Sequence, residues 1–402
     1  MKMKKQSRMK KLCCATLILG MLLPQVMGSG DVSEAASGTW KHNAKGWWYA
    51  YSNGSYAVNA WERIGGKWYY FGSNGYMVTG WNQIGGKWYY FESSGAMVTG
   101  WKQIGGKWYY FESSGAMVTG WKQIGRKWYF FANGAMVTGW KQISGKWYFF
   151  ANGVMVNETR TIGGKTYIFG VDGVWEDLSK LKAGDVFTFG MYEQDNKTSN
   201  GQEAIEWTVL DKMSDGRLLV VSNYVLDYQQ YNEEQTDVTW ETCTLRSWLN
   251  DTFLNAAFTE EEQKLIPKTT VKNADNPDYG TEGGNDTKDQ VFLLSYDEAK
   301  KYYEESIYYD YEDHPEEEIY SETRKCAPTA YAEALGAHKY EYSEWMTSYM
   351  ELYANGCAWW LRTPGMESNM VYGIAPHGGY WDMGGCEVDY SRGVRPAMII
   401  KP

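Results

Sequence analysis

Tryptophan and tyrosine are the residues of this chain whose spacing could do chemistry. Trp61, Trp81, Trp101, Trp121 and Trp140 recur about every twenty residues, and Trp48, Trp68, Trp88, Trp108, Trp128 and Trp147 recur between them. Most of the second set sit in a run such as Lys87-Trp88-Tyr89-Tyr90-Phe91. Indole and phenol rings around a groove attract a quaternary ammonium group through their electron-rich faces, a contact worth about 2 kcal/mol or more once water is excluded. The same rings offer flat faces to sugars. Because bulky tryptophan recurs twice per copy where smaller apolar residues would fill a core, one set of rings is expected to face a ligand.

The elements that must position these rings are hairpins. Each aromatic run is rich in strand formers and ends in a turn signal: Ser73-Asn74-Gly75, Ser93-Ser94-Gly95, Ser113-Ser114-Gly115, Asn133-Gly134 or Asn152-Gly153. Alternation sends Trp88 and Tyr90 to one face and Tyr89 and Phe91 to the other, and likewise at Trp68/Tyr70 and Trp108/Tyr110. A lone hairpin is marginal in water, so each copy must stack on its neighbours. The expected N-terminal architecture is a β-hairpin solenoid over residues 37–177.

The pattern Gly-Trp-x-x-Ile-Gly-Gly-Lys-Trp-Tyr-Tyr-Phe-x-x-x-Gly-x-Met-x-Thr-Gly-Trp, over residues 40–177, resembles the choline-binding, or cell-wall-binding, repeat of Gram-positive surface proteins. That resemblance implies aromatic cages between adjacent hairpins, holding choline of teichoic acid. Carried onto this chain, the cage residues are Trp61, Trp68, Tyr70, Trp81, Trp88, Tyr90, Trp101, Trp108, Tyr110, Trp121, Trp128, Trp140 and Trp147. Phe130 and Phe149 replace the second tyrosine in two copies, keeping the ring and losing the hydroxyl. The first copy has Ala50 where others have a ring, and the last has Thr159 and Thr166 at the two tryptophan positions, so both are expected to be caps that bind nothing. Related repeats in glucan-binding and toxin proteins recognise carbohydrate, which keeps a cell-wall glycopolymer as a second ligand class. Several weak cages in series gain avidity, about 10² to 10⁴ over one site.

Beyond residue 177 acidic residues become denser and the pattern turns mixed, over about 220 residues that suffice for a separate core. Asp185–Phe189, Ile205–Leu210, Arg217–Val221, Trp359–Arg362 and Val394–Ile400 read as strands. Thr244–Leu254 reads as a helix. Thr259 with Glu262 and Ser295 with Glu298 have capping-box spacing, and Pro328–Leu335 before Gly336 is a further short helix. The expectation for 178–402 is an α+β domain. Leu245-Arg246-Ser247-Trp248-Leu249-Asn250, Trp360-Leu361-Arg362-Thr363-Pro364-Gly365 and Gly393-Val394-Arg395-Pro396-Ala397 resemble a bacterial domain of unknown function, number 6273. Its Trp-Leu-Arg and Val-Arg-Pro elements give a weak analogy to C-type-lectin-like folds.

No catalytic set emerges. His314, His338 and His377 stand outside any zinc-binding frame. Cys357 and Cys386 with His377 have no local signature of an activated nucleophile, and the acidic stretch from Tyr302 to Glu322 reads as a solvated loop. Asp286 and Asp289 lack EF-type spacing. No catalytic residue, cofactor or metal is therefore assigned, and the reading leans away from an enzyme. Arg246, Arg362 and Arg395, each among apolar neighbours, must be paired in salt bridges or face a ligand, an anion or a glycan.

A net charge of −10 without a basic stripe argues against nucleic acid. Lys2, Lys4, Lys5, Arg8, Lys10 and Lys11, then the apolar run Leu12–Leu23 and small residues to Ala36, read as a secretory signal over residues 1–36. That run falls short of the about 20 residues a membrane span takes, so the mature protein is expected to have no transmembrane segment. Cys13 and Cys14 open the run, away from a lipid-acceptor position. Cys243, Cys326, Cys357 and Cys386 admit either disulfides or buried thiols. The whole reads as a secreted, surface-associated protein held non-covalently on the cell wall, its C-terminal domain binding a ligand; a glycan-binding adhesin and a wall-acting enzyme are the alternatives.

Overall fold

The computed structural model describes residues 37–310, 314–339, 353–380 and 384–402, with backbone alone for 306–310 and 314–319. The expected secretory signal, with Cys13 and Cys14, and the His314 side chain lie outside the described residues. Among the described residues no helix is long and apolar enough to cross a membrane. The chain forms two compact units, one running to Gly120 and taking in Phe131–Met136, the other holding Trp121–Phe130 and Val137–Pro402.

The first unit is built from repeated antiparallel hairpins: Gly38–Asn43 with Gly46–Tyr51, Ala60–Ile64 with Lys67–Phe71, Gly80–Ile84 with Lys87–Phe91, and Gly100–Ile104 with Lys107–Phe111. In the Ile84-Gly85-Gly86-Lys87 turn both glycines have positive φ, 56° and 78°. That is the mirror-image turn whose twist matches the strands it joins. The last ring of each run is the core: Phe71, Phe91 and Phe111 are wholly buried. Each hairpin is its own sheet, so neighbours are joined by other means. Met97 N donates to Trp68 O and Met117 N to Trp88 O, each at 2.8 Å. The Met77 side chain lies against Gly95, where a Cβ would fall 2.0 Å from its Sδ.

The register revises the first copy. His42 pairs with Trp47 as Arg63 pairs with Trp68, and Met77 N donates to Trp47 O at 2.7 Å. Trp47, rather than Trp48, therefore occupies the inner tryptophan position. Ala50 stands at the buried Phe71 position, so the ring missing from the first copy is one of the core.

In the second unit two hairpins gain a short third strand: Gly139–Ile143, Lys146–Ala151 and Val154–Met155, then Arg160–Ile162, Lys165–Phe169 and Trp175–Glu176. The chain then enters a strand-rich domain of two five-stranded sheets. One orders Val186–Tyr192, Glu203–Lys212, Leu218–Ser222, Ala397–Ile400 and Val291–Phe292; the other orders Asp227–Gln230, Ser391–Val394, Trp359–Pro364, Met370–Ile374 and Cys386–Glu387. Trp207, Trp240, Trp359 and Trp360 are wholly or almost wholly buried in the core of this domain. The expected helices are present and short: Thr244–Trp248 runs through a π turn, Leu249–Phe253, into Leu254–Ala257. Both capping boxes form, at Thr259/Glu262 and Ser295/Glu298. Tyr302–Glu322, expected as a solvated loop, instead contains the hairpin Ser306–Asp310 with His314–Tyr320, where Ile307 pairs with Ile319. Ile307, Tyr308, Tyr309, Ile319 and Tyr320 are residue types that favour strands. Cys243, Cys326, Cys357 and Cys386 are free thiols.

The last hairpin shares the domain's core through Ile168 and Leu178. Thr159 Oγ1 donates to Glu262 Oε1 at 2.9 Å, and Thr161 Oγ1 donates to Glu261. The threonine at the opening-tryptophan position is thus used for docking.

Gly95→Ala combines a clash with Met77 and a positive φ of 79°, and is expected to destabilise the first unit by about 1–3 kcal/mol. Arg126→Gly, at a position with φ 64°, is expected to stabilise by about 1 kcal/mol. Thermal unfolding of both variants checks the two signs.

Candidate functional site

Strand register builds the ring clusters. Trp61 pairs with Tyr70 and Arg63 with Trp68, so Trp61, Tyr70 and Trp68 share one face as direct and diagonal cross-strand neighbours. Trp81, Tyr90 and Trp88 repeat the arrangement, as do Trp101, Tyr110 and Trp108. Within each hairpin the two indoles stand nearly perpendicular, with centroids 6.5 Å apart at Trp61/Trp68, 6.3 Å at Trp81/Trp88 and 6.3 Å at Trp101/Trp108. Trp121/Trp128 and Trp140/Trp147 in the second unit both measure 6.4 Å. The second tyrosine closes on its opening tryptophan at 5.1 Å for Tyr70 and 5.2 Å for Tyr90 and Tyr110. Phe130 and Phe149 do the same at 5.2 and 5.3 Å.

The following hairpin contributes rings that are not among the expected cage residues. Tyr89 reaches Trp61 and Tyr109 reaches Trp81, both at 4.9 Å. Tyr148 reaches Trp121 at 5.0 Å, and Tyr167 reaches Trp140 at 4.9 Å. The first tyrosine turns from its own tryptophan toward that of the preceding hairpin. Alternation alone shows the turning away; only stacking shows where it arrives. Burial pushes the Tyr89 and Tyr148 phenols up, so both stay neutral. Meanwhile Trp88, Trp108 and Trp128 are each 43 % exposed. Half-covered, mutually perpendicular rings with no charge of their own suit a cation whose surface is hydrocarbon.

Residues 58–99, 78–119, 98–138 and 118–159 each match the family profile of the choline-binding repeat. These are choline-binding repeats. The chain is also similar to the lysozymes of Streptococcus phages Cp-9 and Cp-1, 50 % identical over 36 residues that make up 9 % of this chain and 11 % of each relative. Among solved structures, CbpJ of Streptococcus pneumoniae is 34 % identical over 36 % of this chain and 54 % of its own, with a TM-score of 0.34. Choline binding protein F of Streptococcus pneumoniae is 43 % identical over 35 % of this chain and 48 % of its own, with a TM-score of 0.33. The chain thus spans about half of these structures and about a tenth of the phage enzymes. Residues 215–402 match a domain of unknown function, DUF6273.

Outside the choline-binding repeats, the structure does not gather the three flagged arginines around a common partner. Arg246 Nε donates to Asp289 Oδ1 at 2.7 Å, and Asp289 also accepts from Trp240 Nε1 and Thr287 Oγ1. Arg362 Nη1 donates to Glu298 Oε2 at 2.5 Å and to Leu293 O at 2.6 Å. Among the described residues Arg395 has only carbonyl acceptors, Ser222 O and Arg324 O. The carboxylates of Glu193, Asp195 and Glu203 lie within 4.8 Å of one another. They already accept from the backbone N–H groups of Lys197, Gln194 and Asp195 and from the Asn200 amide, which braces a loop. Burial pushes the Cys243 and Cys357 thiols up to about 12, the opposite of what a nucleophile needs.

Cys243 and Cys357 are therefore expected to resist alkylation in the native protein at pH 8, with half-buried Cys386 reacting first; timed labelling mapped by mass spectrometry checks this. For Glu298, burial alone would raise the carboxyl, but Arg362 and the Ser295 groups hold it below the usual range. A depressed carboxylate stabilises fully above its unfolded value of about 4.3 and is lost as pH falls through the lower folded value. Glu298→Gln is accordingly expected to flatten the acid limb of the stability profile below about pH 4.3, read by denaturant melts against pH.

Proposed function

We propose that this protein is held non-covalently on a Gram-positive cell envelope by its repeats, which bind choline groups of teichoic acid, and that residues 178–402 form a ligand-binding domain. Residues 1–36 act in this reading as the export signal and 37–177 as the anchor. The observation that carries the proposal is the recurrence of one ring arrangement. Two perpendicular indoles and an aromatic ring come from one hairpin, and a tyrosine arrives from the next, as at Trp61, Trp68, Tyr70 and Tyr89. Trimethylammonium has the size and the hydrocarbon surface that such rings attract. Repetition suits a polymer with regularly placed choline, since each later contact is intramolecular.

A glycan is the second reading, favoured by one feature. A groove of about 550 Å³ in the second unit is lined by Phe149, Asn152, Arg160, Thr161 and Thr138, which offer a ring beside hydrogen-bonding groups. Sugars ask for both.

The full chain is expected to be retained on an immobilised tertiary or quaternary amine and released by free choline. Replacing Trp88 and Trp108 by Ala removes a wall from two sites, costing about 1–2 kcal/mol at each, and lowers the choline concentration needed for elution. Tyr390→Ala, at an exposed ring far along the chain, leaves it unchanged. Flow-through of the unmodified chain, or release by cell-wall sugars and not by choline, would sink the choline reading.

A further inference from the structure

Arg395 carries a buried positive charge that the repeats do not use. It lies in the two-residue link between Ser391–Val394 and Ala397–Ile400, where the chain passes from one five-stranded sheet to the other, and is 5 % exposed. Its Nε donates to Ser222 O at 3.0 Å and its Nη1 to Arg324 O at 3.3 Å. The guanidinium sits 4.9 Å from the Trp359 ring and 5.4 Å from the Tyr303 ring. Arg246, Arg324 and Arg362 each have a carboxylate within ion-pair distance. Among the described residues Arg395 has none. The nearby Cys326 does not supply the missing charge, because burial pushes its thiol up.

A guanidinium cannot shed its proton, so removing one from water without a counter-ion leaves a cost that rings and carbonyls only partly offset. The surroundings add a second deficit of the same sign. Among the described residues the Tyr303 hydroxyl, Arg324 Nη2 and Trp359 Nε1 are buried without a hydrogen-bond partner. Two of these belong to the rings that flank Arg395, and the third to the residue whose carbonyl it holds. Burial raises the Tyr303 phenol, while the Arg395 and Arg324 charges both pull it down. All three orphaned groups can donate, and the indole and guanidinium N–H cannot accept. Water would answer the donors and leave the charge.

We propose that Arg395, Arg324, Tyr303 and Trp359 form a binding site for a small anion of the class of chloride, formate or inorganic phosphate, built into the strand-rich domain. The site is independent of choline binding. It completes the hydrogen bonds of three buried donors and neutralises a cation at the crossing between the two sheets.

The test uses the full chain exchanged into gluconate buffer at constant ionic strength, with thermal unfolding followed by near-ultraviolet tryptophan signals. Chloride, formate and inorganic phosphate are titrated separately, and the anion that saturates at lowest concentration gives the size of the site. The melting temperature is expected to rise saturably with at least one of them, as for a ligand that binds only the folded state. Tyr303→Phe keeps the ring beneath Arg395 and loses the donor, weakening the apparent affinity about tenfold. Arg395→Met abolishes the anion dependence; should that variant fail to fold, Tyr303→Phe decides alone. A melting temperature indifferent to all three anions, or a Tyr303→Phe variant that titrates like the unmodified chain, would overturn the proposal.

Discussion

The contact on which the repeat region depends is that between the opening tryptophan of one hairpin and the rings of the next. Trp61 lies 5.6 Å from Phe91 at a 33° tilt, and Trp81 lies 5.7 Å from Phe111 at 39°. A two-stranded hairpin in water buries too little to stand alone. The tryptophan gives it a neighbour, and the phenylalanine it covers becomes fully buried. The same indole also walls the candidate cage with its other surfaces. In the proposed reading stability and recognition therefore share a residue, and loss of the tryptophan removes the packing on the next hairpin along with the cage wall.

Sharing explains the ends of the array. The last hairpin keeps Tyr167, which still reaches back to Trp140, and places Trp175 where preceding copies have methionine, opposite Phe169 as Met155 is opposite Phe150. Trp175 lies 5.7 Å from Trp140 and 5.8 Å from Tyr167. At its own tryptophan positions it carries threonines, and Thr159 is spent on Glu262 of the strand-rich domain. A hairpin with no successor has no use for an opening indole; it needs polar groups that fit a different surface. In that domain charge is also matched in pairs, with half-buried Arg246 set against Asp289 and buried Arg362 against Glu298.

Local chemistry made much of this legible. The hairpin turns follow from paired positive-φ glycines, and the capping boxes at Thr259 and Ser295 follow from side chains three residues apart. The membership of each ring cluster was half legible. Trp61, Trp68 and Tyr70 share a face because strand alternation makes them do so, a rule that acts within one hairpin. Tyr89 was out of reach, since its partner Trp61 belongs to the preceding hairpin. Trp47 was missed because repeat spacing pointed to Trp48, while the ladder pairs His42 with Trp47.

What the sequence by itself determined was the unit: its period, its turns, the side on which each ring emerges, and the need for neighbours. All of these follow from backbone sterics and alternation over fewer than about ten residues. Only the tertiary structure decided which rings meet across hairpins, that Ala50 stands at a core position, and that an acidic stretch pairs as strands. It also decided that Arg246 and Arg362 find carboxylates while Arg395, among the described residues, does not. Those outcomes depend on residues distant in the chain arriving at one place, where packing and desolvation, rather than local preference, set the energy.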